Sequence, residues 1–370
     1  MLNLFYNTQE ELFVQNESAL SYFLSSDIEE TTLESETGLV SNFEMKTYGL
    51  LKVAIVKSSL KNDTISSAHF VGHYANSQTA IYMTNFSNAL SYAGNVKLIG
   101  DKVLPVKSVR EKYINGIINN LSSEGKIDLS ESQLPSISED LKKDYKSIKS
   151  RLVSLKDLER ENDSVYFNSF FNETLAIEVG YNTLSHKVIK GNFIIIAKDS
   201  MAVDETVVLE DVILQSPIIK IKKGFKGSIQ AFASKKIVLE NEITLRYPSI
   251  VSVYNETDDE SEIFIGENST IYGAIILFGS PMLKIDYNKI ELSEKTLVIG
   301  DIYCSGKLMI GGAVYGSVFT NRLFSKTKSA TYENCIINAE INILKRPDYF
   351  ISVPLFKSKS EAFGTIKKIL

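Results

Sequence analysis

Between residues 191 and 320 no helical period appears. Short β-branched runs replace it: Asn192-Phe-Ile-Ile-Ile-Ala, Thr206-Val-Val-Leu, Pro217-Ile-Ile-Lys-Ile, Lys236-Ile-Val-Leu and Thr296-Leu-Val-Ile, at roughly 10- to 20-residue intervals, with Gly, Asn, Asp and Ser between them. Continuous Val/Ile/Leu runs suit parallel strands, and the small polar residues at their ends permit tight corners. A unit of this kind cannot bury its inward side chains alone, so the pattern predicts a mainly β fold, a stacked parallel β-helix or β-solenoid. A β-sandwich is the alternative. It would show cleaner alternation and two-residue Asn-Gly hairpins, and the one Asn-Gly pair, Asn115-Gly116, lies outside the run.

The flanking patterns divide the chain further. Residues 1–30 carry Leu2, Phe5, Leu12, Phe13, Leu20, Phe23 and Leu24 near helical spacing, with Glu10, Glu11, Gln15 and Glu17 between them. This predicts an N-terminal helix, either packed on the body or continuing an upstream helix toward a membrane. Residues 31–78 read as an α/β or β-hairpin entry region. The alternating run from Phe43 is one strand, Lys61-Asn-Asp a turn, and Thr64 to Tyr74 the return strand. In 79–120, Gly94-Asn-Val-Lys-Leu-Ile-Gly-Asp-Lys-Val has the rhythm of Val298-Ile-Gly-Asp-Ile-Tyr-Cys, which predicts the first coil of the array.

Residues 121–165 are rich in Ser, Glu, Lys and Asp, with Leu134, Ile137, Leu141, Tyr145, Ile148 and Leu152 at helical spacing and Ser138 as a start signal. They predict a helical insertion between the first coil and the main array at 166–320. Residues 321–370 are expected to form a cap in which Pro347 and Pro354 deny ladder donors, followed by a Lys- and Ser-rich tail that frays.

Composition narrows the function. The chain has 370 residues and a formal net charge of −5, with lysines scattered among acids, which argues against nucleic-acid binding by concentrated basic charge. No apolar stretch reaches the ~20 residues of a membrane helix, and no basic region followed by an apolar run marks a signal peptide. Membrane attachment is therefore expected only through a segment upstream of Met1. Two cysteines, Cys304 and Cys335, form neither a disulfide framework nor a zinc pattern; they read as buried thiols, with a single disulfide as the alternative.

No constellation compels a chemistry. His69 and His73 would share a helix face, but their surroundings read as strand, with no completing ligand nearby. His186 follows Ser185 directly, which is not how a Ser–His pair is built. The acidic run Thr257-Asp-Asp-Glu-Ser-Glu matches no calcium loop and reads as a solvated corner. Asp199, Asp204, Asp211, Asp286 and Asp301 read as corner residues, with only Arg246 and Arg322 available in the array to complete a groove of the kind seen in β-helices resembling pectate lyases and polygalacturonases. Gly311-Gly-Ala-Val-Tyr-Gly-Ser lacks the strand-to-helix context of a dinucleotide site, and Tyr303, Tyr315 and Phe319 read as packing aromatics. No catalytic, cofactor-binding or metal-ligating residue is predicted, and no cofactor is expected.

Four segments carry a resemblance: Tyr48-Gly-Leu-Leu-Lys-Val-Ala-Ile-Val-Lys-Ser, the stretch from Ala80-Ile-Tyr-Met to Gly100-Asp-Lys-Val-Leu-Pro, Gly224-Phe-Lys-Gly-Ser-Ile-Gln-Ala-Phe-Ala-Ser, and Gly300-Asp-Ile-Tyr-Cys-Ser-Gly-Lys-Leu with Val314-Tyr-Gly-Ser-Val-Phe-Thr-Asn-Arg. Together they resemble a family of Bacteroidota envelope proteins with one N-terminal membrane helix and a solenoid-like body, over about residues 15–356. The resemblance implies a non-enzymatic structural or assembly role beside type IV pilus or type II secretion-like machinery, in the manner of a minor pilin or accessory component. It also implies protein partners in the cell envelope and a periplasmic or surface location. This chain departs from the family in lacking the membrane helix. The alternatives are a carbohydrate-binding or carbohydrate-cleaving β-helix and a polymer-forming scaffold resembling bactofilins.

Overall fold

The computed structural model describes residues 2–26, 29–35, 38–74, 78–146, 151–154, 164–180, 183–255, 259–279, 282–348, 350–353, 355–356 and 363–369. Ile148, Thr257, Asp258, Pro354 and the tail at 357–362 lie outside the described residues, as do the side chains of Leu2, Phe5, Tyr145 and Leu152. The chain is mainly β, and one large parallel sheet dominates it.

In that sheet each strand pairs mostly with the strand two further along, in parallel. The inward positions stack in register. One row runs Ile177, Ile195, Leu214, Ala231, Val251, Ile275, Ile302, Val318 and Ile81. All nine are buried in a single core cluster. A second row runs Leu245, Ile271, Val298, Val314, Ile341 and Leu98, and is equally buried. Burying these β-branched chains against one another, at about 25 cal/mol per Å² of apolar surface, is the principal stabilisation. Where successive strands approach too closely for a side chain, glycine appears. A Cβ on Gly273, whose φ is +149, would lie 1.7 Å from the Ser249 carbonyl oxygen.

The segment 79–104, expected as the first coil, does not open the array, as its position in the chain suggested. Val318–Lys326 pairs with Thr79–Met83, which pairs with Asp101–Leu104, so these strands follow the last strands of the main run. Asn120–Glu124 and Ile127–Leu129 follow it and end the sheet. Glu340–Asn342, expected in a cap, lies between Ala313–Tyr315 and Asn95–Ile99. The matching of inward rows, Ile81 against Val318, decides this order rather than adjacency in sequence. At this end the inner row changes character. After Ile81 comes Lys102, fully buried, whose ammonium donates to the carbonyl oxygens of Gly100 and Glu124.

The insertion expected to be helical contains one short helix among the described residues, Glu139–Lys146, together with strands Asn120–Glu124, Ile127–Leu129 and Arg151–Ser154. Its job is to bring the chain back along the array. The Gln133 carbonyl accepts from the Tyr82 hydroxyl at 2.9 Å and the Pro135 carbonyl from the Tyr303 hydroxyl at 3.1 Å, while Ile137 and Leu141 pack near Phe170. Arg151–Ser154 then pairs with Leu175–Glu178 at the opposite end.

The entry region is an antiparallel sheet. Strands β1 (Glu30–Glu34), β2 (Val40–Tyr48), β3 (Leu51–Leu60) and β4 (Asp63–Tyr74) lie in chain order. The run from Phe43, expected as one strand, is broken at Gly49-Leu50, where Tyr48 pairs with Leu51 across a two-residue turn and Gly49 takes a φ of +63. The C-terminal tail does not fray throughout: Phe363–Ile369 pairs antiparallel with β4. One face of this sheet, with Leu51, Val53, Ala68 and Phe70, lies on the array. The other, with Phe43, Ala54, Val56 and Val71, carries helix α1 (Leu2–Leu24) through Ala19, Leu20, Phe23 and Leu24. The helix therefore packs on the small sheet and not on the array. Removing the Ile275 side chain beyond Cβ (Ile275→Ala) should cost about 2–5 kcal/mol, because the stacked neighbours cannot collapse into the gap; urea denaturation followed by circular dichroism measures it.

Candidate functional site

The polar side chains that converge do so at the seam between small sheet and array. Along the seam the array presents Ala176, Ile194, Ile213, Gln230, Ile250 and Ala274 in register. Gln230 is the single polar member of this row, and it is 3% exposed. Its side-chain oxygen accepts from the Leu50 amide at 2.9 Å and its side-chain nitrogen donates to the Tyr48 carbonyl at 2.9 Å. One amide thus satisfies both polar edges of the β2–β3 turn, whose groups would otherwise be buried unpaired. Gly49 makes the approach possible, since a Cβ there would lie 2.3 Å from the Gln230 oxygen.

Tyr48 enters the array beside it. Its hydroxyl lies 2.8 Å from the Phe193 carbonyl, 2.9 Å from that of Asp211 and 3.2 Å from that of Gly191. Its ring meets Phe170 edge-on, with centroids 5.0 Å apart. Burial, and then the charge of Asp211, push the phenol well above its usual value, so Tyr48 stays a neutral donor. Asp211 sits within Val208–Gln215 at a bulge with φ 60, not at a corner as expected. Its carboxylate accepts from the Ser228 hydroxyl at 2.9 Å and from Lys367 of the C-terminal strand at 2.7 Å. Further along, Arg346 pairs with Asp301 at 3.3 Å, and the Tyr247 hydroxyl donates to the Ile351 carbonyl at 3.0 Å. The geometry clamps two sheets together, and its groups are consumed by partners within the chain.

The residues weighed from sequence do not converge. His69 and His73 lie on β4, facing α1. His186 is an exposed residue at φ 52 whose amide donates to Thr206. Asp199 is exposed; Asp204 caps a turn and pairs with Lys222 at 3.1 Å; Asp286 pairs with Lys307 at 2.6 Å. Arg246 is exposed, and Arg322 lies 5.0 Å over the Phe86 ring. Gly311 falls in the turn between Ile302–Ile310 and Ala313–Tyr315. Tyr303 and Phe319 pack against Phe356, and Tyr315 takes Lys345 over its ring at 4.8 Å. Both cysteines are buried and free, and burial pushes the Cys304 thiol up to about 12. Among the described residues no three His, Cys, Asp or Glu side chains are grouped to hold a metal, and no helix is long and apolar enough to cross a membrane. Sequence reasoning missed Tyr48, Gln230 and Lys367, and placed Asp211 at a corner. The Tyr48-Gly49 step was the one visible signal, as a turn inside an alternating run.

Charges at outward strand positions pair along the stack, around a largely buried Glu291. Lys236, Glu262, Lys289, Glu291 and Lys326 form an unbroken chain with contacts of 2.6, 2.8, 3.0 and 2.6 Å. Lys190–Glu210 at 2.9 Å and Lys220–Glu240 at 2.7 Å repeat the arrangement.

No protein-family profile matches this chain, and no curated protein matches it. Among solved structures it is similar to the crystal structure of the competence-associated pilin ComZ from Thermus thermophilus, at 9% identity over 100% of this chain and 94% of that one, with a TM-score of 0.27. A score that low carries no argument about fold or role.

Gln230→Leu should cost about 1–3 kcal/mol by stranding the Leu50 amide and Tyr48 carbonyl, and Tyr48→Phe about 1 kcal/mol, both read as shifts in the denaturant midpoint. A pH effect follows from the ladder. The hydrogen bond from Lys190 holds the Glu210 carboxyl below its ordinary 4.5, and that from Lys220 does the same for Glu240. Folding thus favours the ionised forms, a contribution fully present above pH 4.5 and lost as pH falls through the lower folded values. Unfolding titrations from pH 6 to 3 should show this decline, and Lys190→Gln with Lys220→Gln should flatten it.

Proposed function

We propose that the parallel array winds as a β-solenoid and that the protein is a non-enzymatic structural or assembly component of the cell envelope, working through shape and through protein partners in the manner of a minor pilin or secretion accessory. The observation that carries the reading is the disposition of polar groups. Those at the seam are spent on joining the small sheet to the array, and the carboxylates at outward strand positions are matched to lysines along successive strands. What is left is a stiff body whose sides differ in shape more than in reactivity.

In-register parallel pairing between strands two apart, with inward rows of Ile, Val and Leu, supports the winding. The envelope location rests on the sequence resemblance carried by Gly300–Leu308 and Val314–Arg322.

Two measurements test this. Solution X-ray scattering should report an elongated monomer, its long axis set by strands ~4.8 Å apart; a sphere would defeat the winding. Fractionation of cells producing the native gene product should place it in the envelope, and recovery solely in the cytosol would defeat the role.

A further inference from the structure

Helix α1 covers a histidine that has no polar partner. His69 is 3% exposed, and neither ring nitrogen has a hydrogen-bond partner in the structure. It lies on the α1-facing side of β4, in the same layer as Val71, Ala54 and Val56. Its neighbour across β3 is Ala54, which offers no polar atom beyond the backbone, and its neighbour on the C-terminal strand is Lys368. Helix α1 contributes Glu17, which contacts Lys368 at 3.7 Å over the site. On its own strand, His73 stacks on Phe363 with centroids 4.2 Å apart.

Polar bonding nearby is already committed elsewhere. Asn16 of α1 donates to the Val56 carbonyl at 3.2 Å and accepts from the Ser67 hydroxyl at 2.5 Å, so it does not serve the imidazole.

We propose that His69 makes the docking of α1 acid-sensitive: protonation places an unpartnered cation under the helix, and the helix lifts to let water reach it. The physical reason is desolvation. A buried imidazolium without an acceptor is costly, and departure of the helix, which packs on the small sheet, would hydrate the ring without disturbing the array. Burial, which is the largest influence, holds the imidazole below its ordinary 6.5; Glu17 opposes this and Lys368 adds to it. The folded value being the lower one, the docked state is favoured in full above pH 6.5 and loses ground as pH falls below it. Departure of α1 would bare the apolar face of the small sheet, including Phe43 and Val71.

Hydrogen exchange on the full chain tests this. Protection factors of α1 amides such as Leu20 and Phe23, corrected for intrinsic rates, should fall between pH 7 and 5 by up to about tenfold per unit, while those of Val251 and Ile275 hold. His69→Gln and His69→Leu should keep α1 protected at pH 5, and His73→Gln should leave the fall in place. A flat profile in the parent protein, an unchanged fall in the His69→Gln variant, loss of the fall in His73→Gln, or a parallel fall in the array amides would each overturn the proposal.

Discussion

The structure depends on one constraint: an inward apolar side chain on each strand must lie over the one before it. Ile195 sits on Ile177, Leu214 on Ile195, and so on to Ile81. Meeting that condition brings each backbone within reach of the next, so the same stacking that buries the core also supplies the partners for its amides and carbonyls. Corners adapt to it. Glycine is used where two backbones close on each other, and positive φ angles at Glu242, Asn268 and Lys295 turn the chain at equivalent places.

A stack of this kind has apolar flanks as well as an apolar interior. Here the flank bearing Ile194, Ile213 and Ile250 is covered by the chain's own small sheet, and the flank near Tyr303 and Phe319 by the returning segment at 130–146 and by Phe356. Gln230 and Tyr48 show how the cover is held in place. Apolar area alone would allow the sheet to slide along the array, whereas an amide reading one turn and a phenol reaching three carbonyls fix a single register.

Strand content was legible because Val, Ile and Leu runs recur with small residues between them, and local pattern is what it depends on; which residues stack into the inward rows was not. The helix over Leu2–Leu24 was legible for the same reason. The order of the stack was not. Nothing near Ile81 says that it belongs beside Val318, since that choice is made by fit between segments far apart in the chain. The seam was hidden too. Lys367 and Lys368 read as a solvated tail until the strand that carries them is placed between Asp211 on one side and Glu17 on the other. Gln230 looks like one more polar residue in a strand, and its meaning comes entirely from the turn it meets.

The pairing of Val318–Lys326 with Thr79–Met83 has a consequence for biogenesis. Synthesis proceeds from the N-terminus, so the 79–104 segment leaves the ribosome well before the strands that receive it. Asn120–Glu124 and Ile127–Leu129 can pair with one side of it at once, but until the late strands arrive Thr79–Met83 has no template on its other side, and the late closure of so long a loop gives the fold a high contact order. Completion of the array is thus deferred until residues 318–342 have been made, a timing imposed by topology alone.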